Sequence, residues 1–202
     1  MNILSVDFDW IMEPCIEAYN HISRCERMGP LRAWEKISSI IPSLNPECDL
    51  NKFQALYFFL LDKGKTLKKE DIFIAMNHDQ IYHFLEEENC KLNVYNIDHH
   101  HDMGYPKDED DEQAYESLSV ANWTYYLKQD KKLSSYTWVH NHNSVHPKIE
   151  EAQKFKNYTH SIDLDILENI QFDKIFLCAS WEWVPPKYEP LFDILVSAID
   201  KN

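Results

Sequence analysis

KLNVYNIDHHHDMGY, residues 91–105, decides how this chain is read. Apolar and polar residues alternate up to Ile97, as in a β-strand. The run then ends in Asp98, His99, His100, His101 and Asp102. Alternate side chains of an extended chain share a face. Asp98, His100 and Asp102 are therefore expected to converge, with His99 and His101 pointing away as supporting or packing groups. Two carboxylates and an imidazole on one edge suit a divalent cation, and Asp98 can bridge two ions. The plain alternative is a solvated strand end. It fits poorly, because ionisable groups clustered there repel one another unless a cation is present.

Working outward, NILSVDF (2–8), DIFIAMN (71–77), SSYTWVHN (134–141), NYTHSID (157–163) and KIFLCAS (174–180) also read as strands. Helical spacing runs through 12–28, 30–41, 51–63, 79–88, 119–129 and 189–200, with breaks at Gly29-Pro30 and Pro42. Strands alternating with helices predict a three-layer α/β/α fold: a mostly parallel sheet with helices on both faces. With no internal repeat or interdomain linker, residues 1–202 read as a single domain. Ligands of such folds bind beyond the C-terminal ends of the strands. Asp7 and Asp9, His78, Asp98–Asp102, His140–His146, Asp163 and Asp165, and Glu182 all fall at such ends.

Composition narrows the function. Three glycines in 202 residues exclude Gly-rich phosphate loops, and neither a GxGxxG nor a Walker-type motif occurs. A net charge of −14 disfavours nucleic acid and anionic membranes and favours metals, guanidinium groups or basic peptides. The five cysteines (Cys15, Cys25, Cys48, Cys90 and Cys178) lack zinc-type pairing and read as reduced thiols. No run is apolar enough to span a membrane and no signal peptide opens the sequence, so a cytoplasmic location is expected. PKDEDDEQ (106–113) reads as an acidic loop, either a solvated surface or an electrostatic funnel for a cation.

SIDLDIL (161–167) supplies a second Asp-x-Asp at a strand end. One helix N-cap would account for one of these aspartates but not both. Six groups are then available as metal ligands: His78, Asp98, His100, Asp102, Asp163 and Asp165.

With these residues in this order, the chain resembles the arginase/ureohydrolase superfamily. The family pattern is a His after a strand, then Asp-x-His-x-Asp, then Ser-x-Asp-x-Asp. Here those are His78, Asp98 to Asp102, and Ser161 to Asp165. The resemblance implies a binuclear manganese centre (two Mn2+ per chain). His78 and Asp102 would bind one ion, His100 and Asp165 the other, and Asp98 and Asp163 would bridge them. Glu182 in ASWEWVPP looks like the glutamate that grips the guanidinium, and Asp102 like the acceptor of the proton released in hydrolysis. DFDW near the start, IDHHHD, Asn122-Trp123 and the Glu-x-x-Pro-Pro end look like the smaller arginase-like group. That group includes peptide arginases, which convert arginine to ornithine in ribosomally made precursor peptides. The partner implied is an arginine-containing precursor peptide; self-association is left open.

One departure is informative. Arginases acting on the free amino acid carry an Asn two residues after the last Asp of Asp-x-His-x-Asp, and this chain has Gly104. Losing a carboxylate-recognition group fits an arginine inside a peptide, and also fits agmatine. Among the remaining residues, His142 or His140 is a proton-shuttle candidate. Asp7 and Asp9 either border the site, where Asp9 can meet a cationic substrate or peptide backbone, or one of them caps a helix that follows through Trp10–Pro14. Asn122 can line the substrate channel, and Trp123 can do so or pack in the core.

Three other chemistries compete for the same residues. A DHH-type phosphoesterase would use Asp7 and Asp9 with Asp98-His99-His100. It leaves His78, Asp163, Asp165 and Glu182 without roles and expects a Gly-rich domain. A single-zinc deacetylase on the same fold needs fewer carboxylates. A metal-stabilised binder of basic peptides would gain stability from metal and form no product.

Overall fold

In the computed structural model, which describes residues 1–13, 29–40, 46–106 and 112–200, six strands build one sheet. They are β1 (Asn2–Asp7), β2 (Ile72–Ala75), β3 (Leu92–Ile97), β4 (Leu133–Val139), β5 (Tyr158–Ser161) and β6 (Lys174–Cys178). The order across the sheet is β2-β6-β1-β3-β4-β5, and every pairing is parallel. Parallel neighbours need crossover connections, and helices supply them. Among the described residues α1 (Pro30–Ile40), α2 (Leu50–Lys63), α3 (Gln80–Leu85), α4 (Trp123–Gln129) and α5 (Ile149–Gln153) lie in these connections, a 3-10 turn (Leu164–Leu167) lies between β5 and β6, and α6 (Glu189–Ile199) follows the last strand.

The period-two alternation of β1 explains why both sheet faces are covered. Leu4 and Val6 point to one side, where Leu56 and Leu60 of α2 and Phe192, Leu195 and Ile199 of α6 close over them. Ile3 points to the other, packing with Ile81 and Leu85 of α3 and Trp123 and Leu127 of α4. The expected three-layer α/β/α fold with a parallel sheet is therefore what the chain adopts.

Register decides what meets at the top of the sheet. Val6 lies beside Ile97 of β3, and Asp7 beside Cys178 of β6. The residues following these strands therefore emerge side by side, at the strand spacing of about 4.8 Å. β5, by contrast, is the edge strand, separated from β3 by β4.

Some boundaries differ from expectation. β3 stops at Ile97, so the Asp98–Asp102 cluster is not strand. α4 starts at Trp123 rather than Ser119, because Ser119 N–H donates to Asn122 Oδ1 and turns the preceding segment. The short α5 was not foreseen. Met12, expected in a helix over 12–28, instead makes an antiparallel bridge with Cys48. The rest of that helix from residue 14, residue 41 of the next one, residues 107–111 of the acidic loop, and Cys15 and Cys25 lie outside the described residues. Cys48, Cys90 and Cys178 are free thiols. Among the described residues, no helix is long and apolar enough to cross a membrane.

Leu4 is wholly buried in the strand that carries Asp7. Leu4→Ala should cost about 2–5 kcal/mol of stability. Urea denaturation measures it, and a cost below about 1 kcal/mol would mean that this face of β1 is not a packed core.

Candidate metal centre

Asp7 ends β1, and a short 3-10 turn (Phe8–Ile11) carries Asp9. Asp7 has two jobs. Its Oδ1 caps the turn by accepting Asp9 N–H at 3.0 Å, while its Oδ2 accepts the Ser180 hydroxyl at 2.5 Å. That second oxygen also lies 3.1 Å from His78 Nδ1. Capping and site-facing, posed as alternatives by sequence, are both realised.

His78 follows β2 and is buried. Its Nε2 meets Ser5 Oγ at 2.7 Å, which fixes the ring and leaves Nδ1 facing the site. Around Nδ1 stand three carboxylate oxygens: Asp7 Oδ2 at 3.1 Å, Asp98 Oδ2 at 3.2 Å and Asp102 Oδ2 at 3.0 Å. One nitrogen carries at most one proton, so three oxygens around it make a cage for a cation more than a set of hydrogen bonds.

The chain bends after Ile97 instead of running on as a strand. His100 N–H donates to Asp98 Oδ1 at 2.7 Å, and Trp138 Nε1–H donates to the Asp98 carbonyl at 3.0 Å. Asn96 Nδ2 holds Asp98 Oδ2 at 2.9 Å. Asp102 takes a left-handed backbone (φ 50°), and Trp123 Nε1–H donates to its Oδ2 at 2.6 Å. Asp98, His100 and Asp102 thus converge as expected, through a bend rather than through strand alternation. His99 and His101 turn into the protein: His101 stacks on Tyr105 at 4.1 Å between centroids, and His99 lies 3.4 Å from Ser144 Oγ. Burial, with the charge on His100 adding to it, pushes each of these two imidazoles down to about 3.

Two groups emerge whose ligand atoms lie within 4.8 Å of one another: Asp7, His78 and Asp98, and Asp9, Asp98 and His100. Asp98 belongs to both. These buried groups can hold metal ions. The chemistry of the set fits that role, since four buried carboxylates (Asp7, Asp9, Asp98, Asp102) face only two imidazoles. Asp9 Oδ2 is buried without a hydrogen bond, although His100 Nδ1 is 2.8 Å away. Two ligand atoms in such close approach can act as co-ligands of one ion.

Electrostatics points the same way. Burial, then Asp102 and Asp7, push the Asp98 carboxyl up to about 7. Burial also raises Asp9. For His78 and His100 burial opposes the charge. The aspartates outweigh it, lifting His78 well above its ordinary value and His100 to about 10. A divalent ion would displace protons held in this cluster by the raised Asp98 and His100.

Four residues expected at the site are placed elsewhere or otherwise engaged. Asp163 and Asp165 are exposed beyond the edge strand β5 and join neither group. The sheet order is the reason: β1, not β5, is the neighbour of β3, so Asp7 and Asp9 take the place of the second Asp-x-Asp pair. His142 is exposed and His140 is buried, and neither shuttle candidate joins these two groups. Asn122 is buried, but its amide is used within its own loop, accepting from Ser119 N–H and donating to the Ala114 and Ser117 carbonyls. A substrate-contacting role for Asn122 is not supported. Trp123, left between channel and core, is a buried support of Asp102.

Glu182 is half-buried just beyond β6. Its carboxyl is raised by burial and then by the charges of Asp7 and Asp79, so it lies within electrostatic reach of the centre. A cavity of about 240 Å3 opens above Asp7, His78, His100 and Asp102, walled by Tyr105 and Trp183. Sequence reasoning missed Ser180, Tyr105 and Trp183. For Ser180 a signal existed: it closes KIFLCAS, a strand read correctly, two residues before Glu182.

No family model matches this chain, and neither a curated protein nor a solved structure matches it significantly.

Asp7→Asn and Asp9→Asn should each weaken manganese binding by roughly 100-fold or more, while Asp163→Asn with Asp165→Asn leaves it unchanged. Calorimetric titration separates these outcomes, and a reversed pattern would restore the pair at 163 and 165 to the site. A second prediction concerns protons. The folded chain keeps the Asp98 proton that the unfolded chain releases near 3.8, so metal-free stability falls as pH rises from about 4 to about 7. The raised His100 acts in the same direction: its stabilisation is full below about 6.5 and is lost as pH rises through about 10. Metal binding should therefore release protons and tighten with pH. Calorimetry in buffers of different ionisation enthalpy reads this, and an affinity flat between about pH 5 and 8 would contradict it.

Proposed function

We propose that this chain is a hydrolase using two manganese ions to cleave the guanidinium of an arginine side chain within a peptide, giving ornithine and urea. The observation that carries the reading is Asp98, shared between two buried Asp/His groups as a carboxylate bridging an ion pair would be. The donor set is that of the arginase/ureohydrolase pattern, four aspartates and two histidines, with one Asp-x-Asp pair supplied by β1. Two divalent ions there would lower the pKa of water toward neutrality and polarise the bond to be broken.

The chain's own groups then have distinct tasks. Glu182 holds the planar guanidinium by charge-assisted hydrogen bonds, a role supported by its lying within electrostatic reach of Asp7. Asp102, steadied by Trp123, accepts the proton as the tetrahedral intermediate collapses. A cavity of about 240 Å3 is smaller than sites that enclose whole drug-sized ligands, and it suits one side chain. Gly104 supports a peptide substrate as well. Its φ is +94°, and a Cβ there would lie 2.3 Å from the Tyr115 ring. The asparagine that contacts a free α-carboxylate would be strained at this position and would have to displace the Tyr115 ring.

A second reading earns a place on one observation. A DHH-type phosphoesterase would bring Asp7 and Asp9 to Asp98 and His100, and those residues do meet. It leaves Glu182 idle, and a strongly acidic chain repels phosphorylated substrates.

Mass spectrometry of manganese-loaded protein incubated with arginine-containing peptides, free arginine, agmatine and a phosphodiester distinguishes these activities. Ornithine formed within peptides is the expected result, and phosphodiester cleavage alone would replace it with the second reading. Glu182→Gln should retain both ions and lower kcat/KM by roughly 10–100-fold, since a hydrogen bond to a charged group is worth about 1.5–3 kcal/mol. Unchanged kinetics would place the guanidinium partner elsewhere.

A further inference from the structure

A second cluster lies across the sheet from Asp7 and Asp98, built only of histidines. His140 follows the last residue of β4, His160 lies on the edge strand β5, and His146 comes from the loop between them. The parallel pairing of β4 with β5 sets Trp138 beside His160, and His140 N–H donates to the Ser161 carbonyl at 2.8 Å. His140 Nε2 comes within 3.2 Å of His160 Nδ1. The His146 ring closes the third side, 4.6 Å from the His140 centroid and 5.0 Å from that of His160. One nitrogen from each of the three lies within 4.8 Å of the others.

We propose that His140, His146 and His160 form a separate binding site for a borderline divalent cation of the zinc class, with a fourth position open to solvent. Three features support it. His140 is buried and its Nδ1–H donates to the Asn141 carbonyl at 2.8 Å, which aims the Nε2 lone pair into the cluster. Ligating histidines are commonly fixed by such a hydrogen bond from the other ring nitrogen. Tetrahedral zinc with Zn–N bonds of about 2.0–2.1 Å holds its nitrogens about 3.3–3.4 Å apart, close to the His140–His160 spacing. Burial lowers both His140 and His160, with His146 adding to it, a shift toward the neutral form that binds metal.

Ligand chemistry separates this site from the carboxylate centre. Neutral imidazoles favour zinc, copper or nickel, whereas aspartate-rich sites suit manganese and magnesium. An ion held here would tie β4, the connecting loop and the edge strand β5 together. Edge strands are the part of a sheet most in need of an anchor.

The test isolates the histidine cluster by using Asp98→Asn, which weakens the carboxylate centre. That variant should still bind one zinc per chain, raise its melting temperature with zinc, and give the intense visible absorption of tetrahedral cobalt when titrated with Co2+. Adding His146→Ala and His160→Ala should weaken zinc by roughly 100-fold or more and remove both responses. His146 and His160 are exposed, so this variant should stay folded, as far-UV circular dichroism would verify. If Asp98→Asn misfolds, the same pair of substitutions in the otherwise unaltered chain should remove one zinc equivalent and leave manganese binding intact. Zinc affinity unchanged by the two alanines, or no zinc bound by a folded Asp98→Asn, would overturn the proposal. Peptide hydrolysis is read separately and can fail or succeed independently.

Discussion

Four aspartates are drawn out of water at the top of two neighbouring strands, with two imidazoles to answer them, and the local structure is organised around that imbalance. Unpaired buried charge is among the most expensive features a fold can carry. Each carboxylate is therefore fastened by a neutral donor: Ser180 to Asp7, the His99 amide to Asp9, Asn96 to Asp98 and Trp123 to Asp102. Those donors orient the oxygens without neutralising them. The remaining negative charge is available to a cation, and the geometry converges on two overlapping sites for one.

Strand positions were legible because each strand is a short apolar run closed by polar or turn residues, and all six lie within about two residues of where the pattern placed them. Two sheet faces both covered by helices follow from strands that are apolar on both sides, Ile3 against one core and Leu4 against the other. Strand order is different in kind. Asp7-Phe8-Asp9 and Asp163-Leu164-Asp165 have identical spacing at strand ends, and only adjacency to β3 separates them. Adjacency is set by packing between distant segments, which local pattern does not encode. The family pattern drew attention to the later pair, whereas the sheet uses the earlier one.

Loop residues were hardest to read. Asn122 and Trp123 sit close enough to the centre to suggest substrate contact, yet their polar atoms hold the scaffold: one closes a turn and the other clamps Asp102. Gly104 looked like a lost recognition group. Its positive φ strains any side chain there, and a Cβ would have to displace the Tyr115 ring. In each case the residue type was visible, but its function depends on which hydrogen-bond partner a bend happens to deliver.

The central position of β1 has a consequence for how this protein comes into being. Asp7 is synthesised well before β6, but β1 must pair with β6 and receive the Ser180 hydroxyl before its carboxylate is seated. Those partners lie some 170 residues further along the chain. Contacts so distant in sequence form late and slowly. The centre therefore assembles only after β6 has been made, and a nascent or C-terminally shortened chain holds the aspartates without the pocket. Any metal held here would in this way depend on completion of the sheet.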